Sequence, residues 1–350
     1  MTMYFPMNLQ FFAEAGDVVN VTTGTVNAYT GVQNNTDAMS STMKTFYDTE
    51  LLENAREKLV FAQLGRKQSL PSRHGKIVEW RKWNTLPDLG QLTEGVIPQG
   101  LTFGQTSMAV PINQYGDYVT VSDQLELHAV DDVILGATEE MGAASGLTYD
   151  KLVRDVLKTG TNVMYADIVA ANGTKTTPAT RAALAAATSP AYVTADAINK
   201  AVTILKKAKA PTYSGGKYVG VIHPSVSYDL RSDPGWIEAH KYSAATEIFN
   251  GEIGELHGVR FVETTLAPIV EESDKAVYLT MIFGRDAFGV IDPEGAGMET
   301  IIKGKEQAGG PLNQFSTIGA KFSMATAILY PERFVTLESL STYSDTDEAN

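Results

Sequence analysis

Three residues stand close enough to do chemistry together: His223 and Ser225 in the run His223-Pro224-Ser225, with Asp229 four residues further on. A histidine that takes the serine proton and a carboxylate that orients the histidine are the parts of a hydrolase. They work only when each side chain is aimed at the next, and neighbours on one short segment rarely meet that way. The plainer expectation is that Ser225 caps a short helix after a strand, with Asp229 on the solvated face of that helix.

Other reactive patterns are missing from the chain. His74, His128, His223, His240 and His257 are never closer than 17 residues, so no local metal-ligand pair forms. There is no cysteine, which removes disulfides, thiolate metal sites, iron–sulfur clusters and a cysteine nucleophile. Gly215-Gly216-Lys217-Tyr218 lacks the spacing and hydroxyl of a phosphate loop, and Gly295-Ala296-Gly297 is a lone glycine pair. No cofactor and no metal is expected.

A second group is basic and aromatic. Trp80 and Trp83 sit among Arg73, Lys76, Arg81 and Lys82. Such interleaving can bind single-stranded nucleic acid through stacking and phosphate contacts. The whole chain argues otherwise: Lys+Arg 28 against Asp+Glu 41 gives a net charge of -13, which repels polyphosphate. Docking of the tryptophans on a neighbouring subunit is the preferred expectation.

The charge is also segregated. Arg66 to Lys82 holds six Lys/Arg, including Arg66 itself, opposed only by Glu79, a local balance of +5. From Trp83 to Asp150 there is no Lys or Arg, while Asp117, Asp123, Glu126, Asp131, Asp132, Glu139, Glu140 and Asp150 add up to -8. Like charges at helical spacing repel, so a basic partner would relieve the strip. The inter-subunit contact candidates are therefore Arg66, Arg73, Lys76, Trp80, Arg81, Lys82 and Trp83 on one side, and Asp131, Asp132, Glu139 and Glu140 on the other.

Behind these groups stands an ordinary folded composition, 43% hydrophobic and 20% charged in 350 residues. Residues 1–42 read as an arm with Leu9, Phe11 and Phe12 as anchors, and Met7 is a plausible translation start. Phe46, Leu51, Leu52, Ala55, Leu59 and Ala62 predict a helix over 43–64, stopped by Gly65. Lys76 to Trp83 has strand character with Ser107 to Val110 as its return partner, a long hairpin whose tip runs through 92–96. Tyr115 to Val121 is a strand ending on the cap Ser122. From Asp123 to about Lys158 an apolar stripe predicts one helix that could reach ~50 Å, with Gly136, Gly142 and Gly146 marking close packing or a kink. Thr194 caps a helix to Ala208. Strands are expected at 218–222, 258–263, 276–283, 287–291, 298–302 and 318–330, and the acidic tail from Thr342 to Asn350 is expected to fray. The first basic residue is Lys44, so no signal peptide is expected, and no run of ~18 apolar residues spans a membrane. A soluble protein made in a reducing cytoplasm is expected.

The order of these parts, with Leu92-Thr-Glu-Gly-Val96, Tyr115-Gly-Asp-Tyr-Val-Thr-Val-Ser-Asp123, Val221-Ile-His-Pro-Ser225 and Asp229-Leu-Arg-Ser-Asp-Pro-Gly-Trp236, resembles the major capsid proteins of tailed bacteriophages. Gly251-Glu-Ile-Gly254 with Gly258-Val-Arg-Phe261, Phe283-Gly-Arg-Asp-Ala-Phe-Gly289 and the stretch from Pro311-Leu-Asn-Gln314 to Lys321 continue the likeness. The resemblance implies an α+β chain with the tailed-phage capsid (Johnson) fold. Its parts would be an N-terminal arm at 1–42, a first helix at 43–65, an extended hairpin loop at 66–114, and a peripheral domain with a spine helix at 115–160. An axial domain at 161–312 and a return strand with acidic tail at 313–350 would complete it. It further implies a structural protein, not an enzyme, that assembles with itself into pentamers and hexamers of an icosahedral shell. That shell would enclose double-stranded DNA without binding it specifically, with scaffolding, portal and decoration proteins as partners and no membrane. It would form in the bacterial host cytoplasm and end as the virion capsid. The alternatives are the shell of a bacterial nanocompartment and a hydrolase centred on His223, Ser225 and Asp229.

Overall fold

The structure is a computed structural model. It describes residues 60–240 and 252–350, except 72–74, 85, 93, 96, 98–99, 130–131, 171, 190, 294–296 and 309–311, plus the backbone of three short strands between 18 and 34. Contacts divide the chain into Met1–Asn54 and Ala55–Asn350. In the first unit Val18–Val21, Gly24–Asn27 and Gln33–Asn34 form an antiparallel sheet in that order. The anchors Leu9, Phe11 and Phe12, and Met7, lie outside the described residues.

The second unit is built on two sheets. The seven-stranded sheet runs Glu252–Leu256, Val259–Glu263, Tyr218–Ile222, Lys275–Phe283, Phe334–Ser339, Val163–Tyr165, with Ile269–Glu272 also paired to the central strand. That central strand, Lys275–Phe283, is buried on both faces, and its side chains alternate between two cores. Ala276, Tyr278 and Ile282 join Ile198, Val202 and Leu205 of the helix Ala195–Lys207, with Val226, Leu230 and Trp236 of the helices Pro224–Ser232 and Pro234–His240. Val277, Leu279, Met281 and Phe283 face the other way, toward Phe61, Val153, Leu157 and Leu184. A period-two strand thus separates a helical layer from the end of the longest helix.

The five-stranded sheet is organised by one strand, Phe315–Ile328. It pairs with Asn113–Ser122 and Glu299–Lys303 along its first half and with Phe288–Pro293 along its second, and Arg66–Leu70 lies parallel to Phe288–Pro293 at the edge. Ser316, Ile318, Ala320, Phe322 and Met324 are buried in strict alternation. The sheets exchange strands across residue 312: 288–293 and 299–303 join the long strand, while 334–339 returns to the seven-stranded sheet.

Two expectations are corrected, the uninterrupted long helix and the frayed tail. The helix predicted without interruption from Asp123 to Lys158 is two helices, Asp123–His128 and Val133–Leu157. Ala129 is extended, and Asp132 Oδ1 accepts from the N–H groups of Ile134 and Leu135 at 3.1 Å each, starting a new helix. The second helix spans about 37 Å at 1.5 Å per residue rather than ~50 Å, and Gly136 and Gly142 have nothing within 4 Å of an added Cβ. The helix predicted over 43–64 lies outside the described residues except at its end, where Phe61–Leu64 is one helical turn. The buried Asp150 accepts from the N–H groups of Val60, Phe61 and Ala62 at 3.1, 3.3 and 2.7 Å, so these three are engaged by a side chain ninety residues away. The tail from Thr342 to Asn350 does not fray; it is hydrogen-bonded along its length to the body.

Candidate assembly interface

Ile77–Trp83 and Gln105–Pro111 form the expected hairpin, antiparallel from Ile77 opposite Pro111 to Trp83 opposite Gln105. Its base is seated on the body. Trp80 packs against Gly289, where an added Cβ would stand 2.8 Å from Trp80 Cζ2, and its Nε1 donates to Gln68 Oε1 at 2.7 Å. Lys82 Nζ lies 3.3 Å from Glu332 Oε1 and 4.5 Å over the ring of Tyr330, which Arg333 also covers at 3.6 Å. Arg81 pairs with Glu79 on its own strand at 3.1 Å. That hydrogen bond, with a second from Ser107, holds the Glu79 carboxyl below its ordinary range.

Beyond the base the hairpin becomes an arm with little of its own subunit around it. Trp83, 62% exposed, stacks on Phe103 with centroids 4.4 Å apart. Toward the tip Leu89 is 86% exposed and Ile97 93%, and Leu86, Leu92 and Leu101 are exposed as well. A run of large apolar side chains open to water is an unfinished contact, since single exposed residues are ordinary but a concentrated set is not. These apolar residues carry no charge pattern, and their signal in the sequence is their place in a loop of about 20 residues that no core could absorb.

The structure places the remaining contact candidates as follows. Arg66 and Lys76 are exposed at the strand starts. Arg73 and Asp131 lie outside the described residues. Asp132 is the helix N-cap described above, and Glu139 and Glu140 are exposed on that helix. Within the -8 strip Asp150 is the buried staple, and Glu126 pairs with Lys305 at 3.0 Å. Trp80 is seated within its own subunit against Gly289 and Gln68 and stays partly exposed.

The hydrolase arrangement is absent, and both parts of the plainer expectation change as well. His223 Nδ1 accepts from the backbone N–H of Ser225 at 3.2 Å, so the imidazole itself caps the helix Pro224–Ser232. Ser225 Oγ donates to Asp347 Oδ2 at 2.9 Å instead of to the histidine. Asp229 is only 4% exposed and accepts from the Thr342 backbone N–H at 3.0 Å and from its hydroxyl. The side chains point past one another. A groove of about 620 Å³ over Tyr115–Tyr118 and Thr317–Lys321 includes none of the three. Among the described residues no cluster of acidic or histidine side chains could hold a metal ion, and no helix is long and apolar enough to cross a membrane.

The architecture of two sheets, a long helix and a projecting arm matches solved phage capsids. The chain is similar to the capsid protein of cyanophage P-SCSP1u, with 17% identity, TM-score 0.65, and coverage of 89% of this chain and 98% of that one. It is also similar to that of Ralstonia phage GP4, with 15% identity, TM-score 0.63, and coverage of 87% and 96%. The Helicobacter pylori bacteriophage KHP40 head protein matches at 11% identity and TM-score 0.62, over 88% and 99%. At such identities the likeness establishes the fold, that of the tailed-phage shell. No curated protein matches the chain. Residues 105–335 match the phage capsid protein family, well over half of the chain, and the chain belongs to that family. It is a major capsid protein, a structural subunit that self-assembles into the phage shell.

Proposed function

We propose that the subunit closes into rings of five and six, and that the arm 84–104 supplies the main apolar contact by lying across a neighbouring subunit. The observation that supports this is the exposure of Leu86, Leu89, Leu92, Ile97 and Leu101 on an arm whose base is fixed. Covering even half of such side chains is worth on the order of 1 kcal/mol each, repeated at every contact in a shell. The exposed charges Arg66, Lys76 and Arg81 and the acidic helix face at Glu139 form a second, weaker component, since partly exposed pairs contribute ~0–1 kcal/mol each.

The shell encloses double-stranded DNA without specific contacts, consistent with the net charge of -13. Assembly takes place in the host cytoplasm, with scaffolding, portal and decoration proteins as separate partners, and the chain has no catalytic role. Sedimentation and electron microscopy of the purified protein test this: closed rings or shells are expected. A compact monomer at all concentrations, with residues 84–104 protected from protease, would overturn it.

A further inference from the structure

Asparagine is followed by glycine twice in the chain, at Asn172-Gly173 and Asn250-Gly251, and the first pair lies among the described residues. It forms the exposed tip of a small hairpin in which Ile168–Val169 pairs with Lys175–Thr176. Two backbone bonds close the tip, from the Ala170 N–H to the Thr174 carbonyl at 2.9 Å and from the Gly173 N–H to the Ala170 carbonyl at 2.8 Å. The Asn172 side chain folds forward over the next peptide, where its Oδ1 accepts from the Thr174 N–H at 3.0 Å. Gly173 has a φ of +80°, and nothing lies within 4 Å of the Cβ it lacks.

We propose that Asn172 is a site of self-modification, where the folded chain converts its own side-chain amide to a carboxylate. The Gly173 backbone nitrogen attacks Asn172 Cγ and forms a new N–Cγ bond. The Cγ–Nδ2 bond breaks, and Nδ2 leaves as ammonia with the proton that the Gly173 nitrogen gives up. The product is a five-membered cyclic imide. Water then opens the ring. Attack at Cγ gives aspartate; attack at the Asn172 main-chain carbonyl gives isoaspartate, whose backbone runs through the side-chain carbons. Nothing is oxidised or reduced, and water is the only co-reactant.

Three features of the tip favour the attack. A side chain on the attacking residue would crowd the forming ring, and glycine has none. Negative charge develops on Oδ1 as the nitrogen adds, and the Thr174 N–H already points at that oxygen. The tip is exposed and sits on a hairpin of only two residue pairs, so water reaches it and little structure has to open. The Gly173 bond to Ala170 opposes the reaction, but it is one bond in a turn open to solvent. Other asparagines are held differently. Asn162 precedes the β-branched Val163, and its Nδ2 donates to the Phe334 carbonyl at 2.9 Å. Asn199 lies inside the helix Ala195–Lys207.

Each event adds one negative charge beside an existing network, in which Lys175 lies 3.9 Å from Asp196 and Lys200 bridges Asp196 at 3.2 Å and Asp167 at 2.7 Å. Isoaspartate also lengthens the backbone of the tip by a carbon, which strains the bond between Ala170 and Thr174. Older subunits therefore carry a more acidic and looser hairpin, and the change accumulates with the age of the protein.

Peptide mapping by mass spectrometry of the full folded chain, held at pH 8 and sampled over time, reads this directly. The peptide holding Asn172 should gain the mass of deamidation about tenfold faster than those holding Asn162 or Asn199, a ratio that one hydrogen bond to a developing charge suffices to give. Aspartate and isoaspartate should both appear, the second identified by enzymatic methylation. Conversion should slow at pH 6, because the Gly173 nitrogen attacks as its anion. Asn172→Gln, whose longer side chain would have to close a six-membered ring, should lose the signal from that peptide. Equal rates at the three asparagines, aspartate as the sole product, faster conversion at pH 6, or an undiminished signal in Asn172→Gln overturns the proposal.

Discussion

At the scale of single residues, most of the reactive-looking groups serve as hydrogen-bond acceptors for backbone. Asp150 is the strongest case. Its carboxylate satisfies three N–H groups at the start of Phe61–Leu64 while itself fully buried. Burial raises its pKa, against the pull of those three donors and of Arg154. Asp150→Ala leaves the donors unmet and should cost about 2–3 kcal/mol in denaturant unfolding, with Asp150→Asn milder because one acceptor oxygen remains. Ser225→Ala should cost only about 1 kcal/mol, the loss of one bond to Asp347. An esterase activity present in the parent and absent from a folded Ser225→Ala variant would sink the structural assignment. None of these roles could be read from local pattern, because the partners are 90 residues apart for Asp150 and Val60 and 122 for Ser225 and Asp347. Ser122 and Thr194, whose partners are three residues away, were legible as caps.

At the scale of elements, legibility followed how local the deciding interaction was. The hairpin strands, the central strand and the helix after Thr194 show their periods in the sequence. The break at Ala129 does not, because Leu127, Val130 and Ile134 carry the apolar stripe straight across it. Asp132→Ala should shorten or fray the start of Val133–Leu157 and lower stability by about 1 kcal/mol, measured by thermal melting. Reversing Asp132 to lysine is therefore a poor probe of a charge contact, since it removes a cap as well. Gly289→Val would drive a side chain into the Trp80 ring. It should cost about 1–3 kcal/mol, and protease cleavage at the base of the hairpin should rise before the core unfolds.

At the scale of the whole molecule, the apolar arm and the charged strip make different predictions. The pair Leu89→Asp with Ile97→Asp should abolish assembly and leave the melting temperature of the subunit unchanged, because both side chains are almost wholly exposed in the monomer. Sedimentation of that variant decides the matter: shells as abundant as the parent's would remove the arm from the contact. Salt separates the two components further. Screening shortens from ~10 Å at 0.1 M to ~3 Å at 1 M, so a contact held by charge weakens, while one held by apolar burial persists. With Arg81 and Lys82 already paired inside the subunit, assembly should survive 1 M sodium chloride.

The pairing of Asn113–Ser122 with Phe315–Ile328 has a mechanical meaning. The arm's return strand, Gln105–Pro111, runs through Ile112 directly into Asn113, and from there ten consecutive residues, Asn113 to Ser122, lie opposite Met324 to Phe315. A pull on the arm therefore arrives along the strand axis, at right angles to the hydrogen bonds. It loads the ladder in shear, with all rungs sharing the force, instead of peeling them one at a time. Whatever the arm grips can tug on this subunit without unzipping it.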